Sequence, residues 1–195
     1  VDPDECARVK IRFHWGRHGE TNASSSCWVR VSQPWAGGNW GAMSIPRNGQ
    51  EVIVDFLDGD PDLPIITGRV YNGDQMPPYA LPAGASRMGM KSQTLHGDGY
   101  NEMSIDDTAG SERIILHAQH NMITTVGNDE SIGVTNNRVE SVGVDERVEI
   151  GNNRLERVGN NKSTTVTNAY NMECDTFLMM PARPSRFSAG PPGYI

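Results

Sequence analysis

No stretch of this 195-residue sequence approaches the ~18 consecutive apolar residues that a membrane-spanning helix requires. Residues 1–5 carry neither the basic flank nor the apolar run of a secretory leader. An excess of positive charge is also missing: 17 Lys and Arg against 24 Asp and Glu leave a formal charge of −7. That balance excludes polybasic nucleic-acid binders and membrane-surface proteins. Cysteine is scarce and odd in number. Cys6, Cys27 and Cys174 do not make a disulfide framework and are expected as free thiols of a reducing compartment. Large apolar side chains are few, with Leu, Ile, Val and Phe at 38 of 195 residues, just under the level of about one fifth that marks disorder. The charge per residue is too low for a disordered chain. The sequence therefore fits a thinly filled globule or a chain that shares its core with other chains. It also lacks an initiating Met, so a piece of a longer protein is expected.

Helical periodicity is absent throughout, and what remains is all-β. Ala7-Arg8-Val9-Lys10-Ile11-Arg12-Phe13, Trp28-Val29-Arg30-Val31 and Glu51-Val52-Ile53-Val54-Asp55-Phe56 alternate in polarity, and Pro64 to Val70 follows the strong turn Asp58-Gly59-Asp60-Pro61-Asp62. Four or five short strands in residues 1–75 suit a small barrel of the OB type, because a closed sheet buries one face without helices. Residues 76–100 are expected as a Pro/Gly-rich connector, since Pro77, Pro78 and Pro82 cannot donate to a ladder. Beyond it, 101–105 and 112–118 look like strands joined through Asp106-Asp107-Thr108-Ala109-Gly110. Residues 175–195 leave every pattern and form a Pro-rich tail.

Residues 101–174 hold the decisive regularity. Val126, Val134, Val142, Ile150, Val158 and Val166 keep one β-branched phase at intervals of eight. The next two positions are mostly Gly or Thr and then Asn, so each octad is a strand plus a corner. A short strand with one apolar stripe cannot hide that stripe against itself. The economical arrangement is a triangular prism of three intertwined chains, a β-helix with the Val row pointing inward. Strands about 4.8 Å apart would then stack six octads into a rod roughly 30 Å long. The fifth octad position reads Glu130, Arg138, Glu146, Arg154, alternating in sign. In a three-chain winding these residues would form an inter-chain charge ladder that penalises a one-layer slip.

The segments Ser26-Cys27-Trp28-Val29-Arg30-Val31-Ser32-Gln33-Pro34-Trp35-Ala36-Gly37, Ile45-Pro46-Arg47-Asn48-Gly49-Gln50-Glu51-Val52 and Gly59-Asp60-Pro61-Asp62-Leu63-Pro64-Ile65-Ile66-Thr67-Gly68-Arg69-Val70-Tyr71-Asn72, with Lys91-Ser92 and Asn101-Glu102, resemble the C-terminal spike region of the type VI secretion VgrG family. The resemblance covers roughly residues 5–170. It implies an OB-fold collar followed by a trimeric β-helical needle, as in contractile phage tails. The implied function is mechanical: a homotrimeric spike of a contractile injection machine that punctures a target cell envelope. Its implied partners are a preceding hub region, an inner tube, and a tip cap or effector protein. The implied localisation is synthesis in the bacterial cytoplasm and delivery by the machine to the outside or into a target cell. Cys6 and Gly16 depart from the residues expected at those positions, and the tail after Asp175 matches no known extension.

The residues suggest little competing chemistry. His117 and His120, three apart on an alternating strand, fall on opposite faces and do not chelate together, although a threefold axis could collect three copies of one. Asp58, Asp60 and Asp62 resemble the start of a calcium loop, but Pro61 intervenes and Arg69 stands at the twelfth position. Paired carboxylates at Asp106-Asp107 and Asp145-Glu146 suit solvated turns, and no Gly-x-Ser-x-Gly, His-Glu-x-x-His or Walker loop is present. Trp15, Trp28, Trp35 and Trp40 would offer a stacking surface, but without a cationic groove they are expected as core and interface aromatics, with no nucleic-acid partner. No catalytic residue, cofactor or metal is therefore expected. The rival readings are a trimeric cell-surface adhesin or stalk and a β-helix enzyme, whose hexapeptide period differs from the eight seen here.

Overall fold

The computed structural model describes residues 3–16 and 24–178. Among them the fold is all-β. Eight strands are present: β1 Arg30–Val31, β2 Trp35–Ala36, β3 Gly41–Ala42, β4 Glu51–Phe56, β5 Pro64–Val70, β6 Arg87–Lys91, β7 Glu102–Asp106 and β8 Arg113–His117. A single 3-10 turn, Leu57–Gly59, links β4 to β5. There Asp58 and Gly59 both take positive φ, which is why the Asp-Gly pair was readable as a turn. No helix among the described residues is long and apolar enough to cross a membrane. The backbone falls into two compact units, one running to Glu130 and the other beginning at Ser131.

In the first unit β1 pairs parallel with β5, and β5 pairs antiparallel with β4, the register shifting between Ile53 and Val54. Residue 9 joins this sheet through an isolated antiparallel bridge to Val29. Val9, Val29 and Ile66 are the buried apolar core, with Ile11, Val31, Ile45, Val52 and Val54 packed partly against it. The strand expected over 7–13 is thus a single bridge, and the described residues do not show a closed barrel. A cleft of about 680 Å³ separates residues 9–15 from β4, lined by Val9, Ile11, Phe13, Val52, Val54 and Phe56. Three buried apolar residues are a meagre core for a domain of this size, as the shortage of Leu, Ile, Val and Phe implied.

The stretch expected as connector contains a strand. β6 lies within residues 76–100 and pairs with β7, and β7 pairs with β8 in a second antiparallel sheet. Bonds from Ser92 to Asn101 and from Thr94 to Gly99 carry the β6–β7 hairpin past the strand ends. Gly89, which weakened β6 as a sequence signal, is required at its centre. A Cβ there would lie 2.5 Å from Ser104 Cβ and 2.6 Å from the Met103 carbonyl oxygen.

Candidate functional site

From residue 120 onward the chain is extended, and among the described residues it closes no backbone–backbone hydrogen bond on itself. A bend follows each octad apolar residue: 127–128, 135–136, 143–144, 151–152, 159–160 and 167–168. Gly, Thr and Asn at those positions supply the turn chemistry. The row itself is uniform. Val126, Val134, Val142, Ile150, Val158 and Val166 are each 47–51% exposed, whereas Val139 and Val144 are 90% and 91% exposed. Six residues with matching exposure, each followed by a bend, recur along the extended backbone.

The charged residues of this stretch pair locally. Arg138 meets Glu140 at 3.0 Å, Arg147 meets Glu149 at 2.8 Å, and Arg154 approaches Glu156 at 4.0 Å. Lys162 reaches Glu156 at 2.7 Å, and this ammonium, before Arg154, holds the Glu156 carboxyl below its ordinary range. Two residues apart on an extended chain share a face, so Arg-Val-Glu and Arg-Leu-Glu units at 138, 147 and 154 hold the charges together around an apolar residue on the other face. Of the ladder residues, Arg138 and Arg154 use same-chain glutamates, while Glu130 and Glu146 take no ion-pair partner among the described residues.

The β6–β7–β8 sheet has two contrasting faces. Register places Arg87, Asp106 and Arg113 in one cross-strand row and Lys91, Glu102 and His117 in another, with Ser104 between them. On this face Glu102, Ser104 and Asp106 are buried. Glu102 accepts hydrogen bonds from the Ser104 hydroxyl at 2.7 Å and from the Tyr79 hydroxyl at 3.2 Å, and it pairs with Arg87. Its carboxyl is held below the ordinary range, chiefly by Ser104 and then by the Arg87 charge. Asp106 accepts from the Thr108 hydroxyl at 2.7 Å and from Arg113 at 3.1 Å, which brings its pKa from 3.8 to about 2. Arg87 also lies over the Tyr79 ring, Lys91 over Tyr100, and Tyr100 stacks on His117. The opposite face presents Met88, Met90, Met103, Ile105, Ile114 and Leu116, all exposed. The sheet is therefore inverted: its polar face is internally satisfied and its apolar face is bare.

Residues 88–176, from β6 through the octads, match the family described as the bacteriophage T4 gp5 C-terminal trimerisation domain, and residues 1–71 match the type VI secretion system/phage-baseplate injector OB domain. The chain is 55% identical over 134 residues to the type VI secretion system spike protein VgrG1a of Pseudomonas aeruginosa, 67% of this chain and 21% of that protein. It is 56% identical over 131 residues to VgrG1b of the same organism, 66% of this chain and 18% of that protein. The chain belongs to the VgrG spike family. It is also 50% identical over 134 residues to a Vibrio cholerae protein named actin cross-linking toxin VgrG1, covering 69% of this chain and 12% of that one. The chain thus spans about a fifth or less of the length of these VgrG relatives.

The other residues singled out from the sequence do not assemble into a site. His117 Nδ1 contacts the Tyr100 carbonyl oxygen at 3.1 Å, and no cluster of three or more His, Cys, Asp or Glu side chains suited to a metal occurs among the described residues. Asp60 accepts from the backbone N–H of Asp62 at 2.9 Å, a turn contact that uses the carboxylate a calcium loop would need. All four tryptophans, expected as core and interface aromatics, are exposed in the single chain, so none of them lies in its core. Trp35 and Trp40 meet edge to face at 5.1 Å across the β2–β3 hairpin, Trp15 stacks on Phe13 at 4.7 Å, and Lys10 lies over Trp28 at 5.2 Å. With only three apolar residues buried, this unit has no interior large enough for indole rings. Cys6, Cys27 and Cys174 are free and exposed. The prolines of the tail, Pro181, Pro184, Pro191 and Pro192, lie outside the described residues. Met88 and Met90 of β6 were missed because Met is a weak strand former and Gly89 interrupts β6, and without them the face they share with β7 and β8 was not seen. The alternation Arg-Met-Gly-Met-Lys was the available signal.

Proposed function

We infer that this chain is the distal part of a homotrimeric puncturing spike, and that its work is mechanical. The observation that carries the reading is the half-exposed Val row. Six equivalent apolar residues, each beside a bend, lie on a backbone whose hydrogen-bonding groups are unpaired within the chain. Three such strands winding about one axis would bury the open half of each Val and give every N–H and C=O a neighbour-chain partner. Such a shaft has no lateral edge to unzip, and axial thrust loads many backbone bonds together. The OB-type unit, residues 1–75, serves as collar, residues 76–100 lead from it, and residues 101–174 build the shaft.

The partners of the assembled protein are then a hub region, an inner tube below, and a tip cap or effector above, with the target cell envelope as substrate in the mechanical sense. The machine carries the spike out of the producing bacterium. A mechanical role needs no catalysis from this part of the chain. Sedimentation equilibrium at micromolar concentration tests the reading, which expects three times the chain mass of 21.4 kDa. A folded, monodisperse single chain would overturn it.

A further inference from the structure

We propose that Arg47 is a positioning residue that locks the β6–β7–β8 sheet to the collar, through a side-chain hydrogen bond that turns the Pro/Gly-rich stretch between them into a two-point joint. The proposal goes beyond the trimeric reading, because every contact in it lies within one chain. Only its mechanical consequence rests on that reading.

Among the described residues, no strand of the β1–β5–β4 sheet pairs with a strand of the β6–β7–β8 sheet. Residues 73–86 contain no strand either, so backbone continuity alone would join the two sheets as a swivel. Arg47 removes that freedom. Its guanidinium Nη1 donates to the Gln93 carbonyl oxygen at 2.7 Å, across 46 residues of sequence. A charged donor makes this bond stronger than a neutral one of the same length.

Both partners are held before they meet. The Arg47 backbone N–H donates to Gln50 Oε1 at 2.9 Å, and the Gln50 N–H donates to the Arg47 carbonyl at 3.2 Å, around Gly49 at φ 87°. Arg47 therefore projects from a closed turn. Gln93 sits where the β6–β7 hairpin runs past its strands: the Ser92 N–H donates to the Asn101 carbonyl at 2.9 Å, the Thr94 N–H to the Gly99 carbonyl at 2.7 Å, and Gln93 Nε2 to the Gly97 carbonyl at 2.8 Å. The near end of the stretch is fastened to the same part of the collar. Asn72 Nδ2 donates to Glu51 Oε2 at 2.7 Å, while Asn72 Oδ1 accepts from the N–H groups of Asp74 at 3.0 Å and Gln75 at 2.9 Å. Residues 47–51 thus receive both ends of the stretch 72–93. Two separated attachments resist rotation where one does not, so thrust and torque on the shaft reach β4 through Glu51 and Arg47.

Hydrogen–deuterium exchange of the full-length chain tests the joint, with sedimentation of the same samples reporting mass. Arg47→Ala should speed exchange of the 92–101 amides about tenfold, the scale of one charge-assisted hydrogen bond, while β4 and β5 keep their original rates. Arg47→Lys retains a charged donor and should keep most of the protection. Arg69→Ala is the control, since Arg69 donates to Ser44 Oγ at 3.0 Å inside the collar, and it should leave 92–101 unchanged. Unchanged exchange at 92–101 in Arg47→Ala overturns the joint. An equal rise in β4 and β5 also overturns it, by making Arg47 a residue of the collar's own stability. Arg47→Met keeps the aliphatic stem without the donors, and full protection in that variant would assign the effect to packing and overturn the hydrogen bond's role. A single-chain mass in every sample overturns the trimeric reading but not the joint.

Discussion

Replacing Val142 by Asp tests the inward assignment of the octad row where it is most exposed to failure. In the single chain Val142 is 49% accessible, so assembly has about half a side chain left to bury. Full burial of a Val is worth roughly 1.5–3 kcal/mol, so each row residue contributes about 1 kcal/mol on assembly, an upper value because the separate chains bury some of that area themselves. Six such residues in each of three chains supply on the order of 15–20 kcal/mol. Val142→Asp removes three of these contributions in one layer. It also brings three carboxylates to one axis without partners, at several kcal/mol each. The total loss is on the order of 10 kcal/mol, or about seven powers of ten in the three-chain association constant. Sedimentation equilibrium at micromolar concentration should then find single chains, and calorimetry should find the main melting transition gone. Buried carboxyls without partners titrate high, so acidification towards pH 5 should restore part of the assembly. Val144→Asp is the control: this residue is 91% exposed at a position where the five other octads carry Asn, and its effect should stay within about 0.5 kcal/mol. Equal behaviour of the two variants would refute the inward row.

Asp106→Asn should change how stability responds to acid. Because folding lowers the Asp106 pKa to about 2 from 3.8, and lowers that of Glu102 from its ordinary 4.5, the stabilisation from these groups is complete above pH ~5 and lost as pH falls towards 2; melting temperatures across that range should fall less steeply in the variant. Gly89→Ala should lower stability by about 1–3 kcal/mol, measured by thermal unfolding, because the new Cβ meets Ser104 and the Met103 carbonyl. Arg138→Glu sets three like charges against Glu130 and Glu146 in the proposed ladder; a loss in thermal unfolding of at most about 1 kcal/mol per pair that disappears in ~1 M salt is expected, and an equal loss in Glu140→Gln would assign it to the Glu140 contact instead.

What was legible in the sequence follows from which interactions are local. β4 and β5 emerged with their full bounds because alternation, Pro64 and the Asp58–Gly59 turn are all written within a few residues. The octad bends were legible for the same reason: Gly, Thr and Asn fix each corner with no help from the fold. The pairing of residues 9–15 was not, because whether they run along β4 depends on segments some forty residues apart, which local pattern does not encode. The tryptophans were legible only as core or interface aromatics: size and hydrophobicity place indoles inside only when there is an inside, and among the described residues this unit buries Val9, Val29 and Ile66.

The polar rows of β6–β8 turn that failure into an argument about assembly. In an ordinary antiparallel sheet the apolar face is buried and the polar face solvated, so alternation alone predicts which side chains form the core. Here the Glu102, Ser104 and Asp106 side chains are covered by their own chain, while Met103 and Ile105 between them are not. A single chain gains nothing by leaving six large apolar residues in water while enclosing carboxylates, unless the bare face is finished by other copies. The same inversion holds along the octads, where the one repeated apolar residue is half open and the backbone is unpaired. Sheet and repeat thus fail as single-chain structures in the same sense, each lacking the partner surface that three copies would provide. A chain short of large apolar residues can be stable in this way, because every residue it spends on the axis is shared by three.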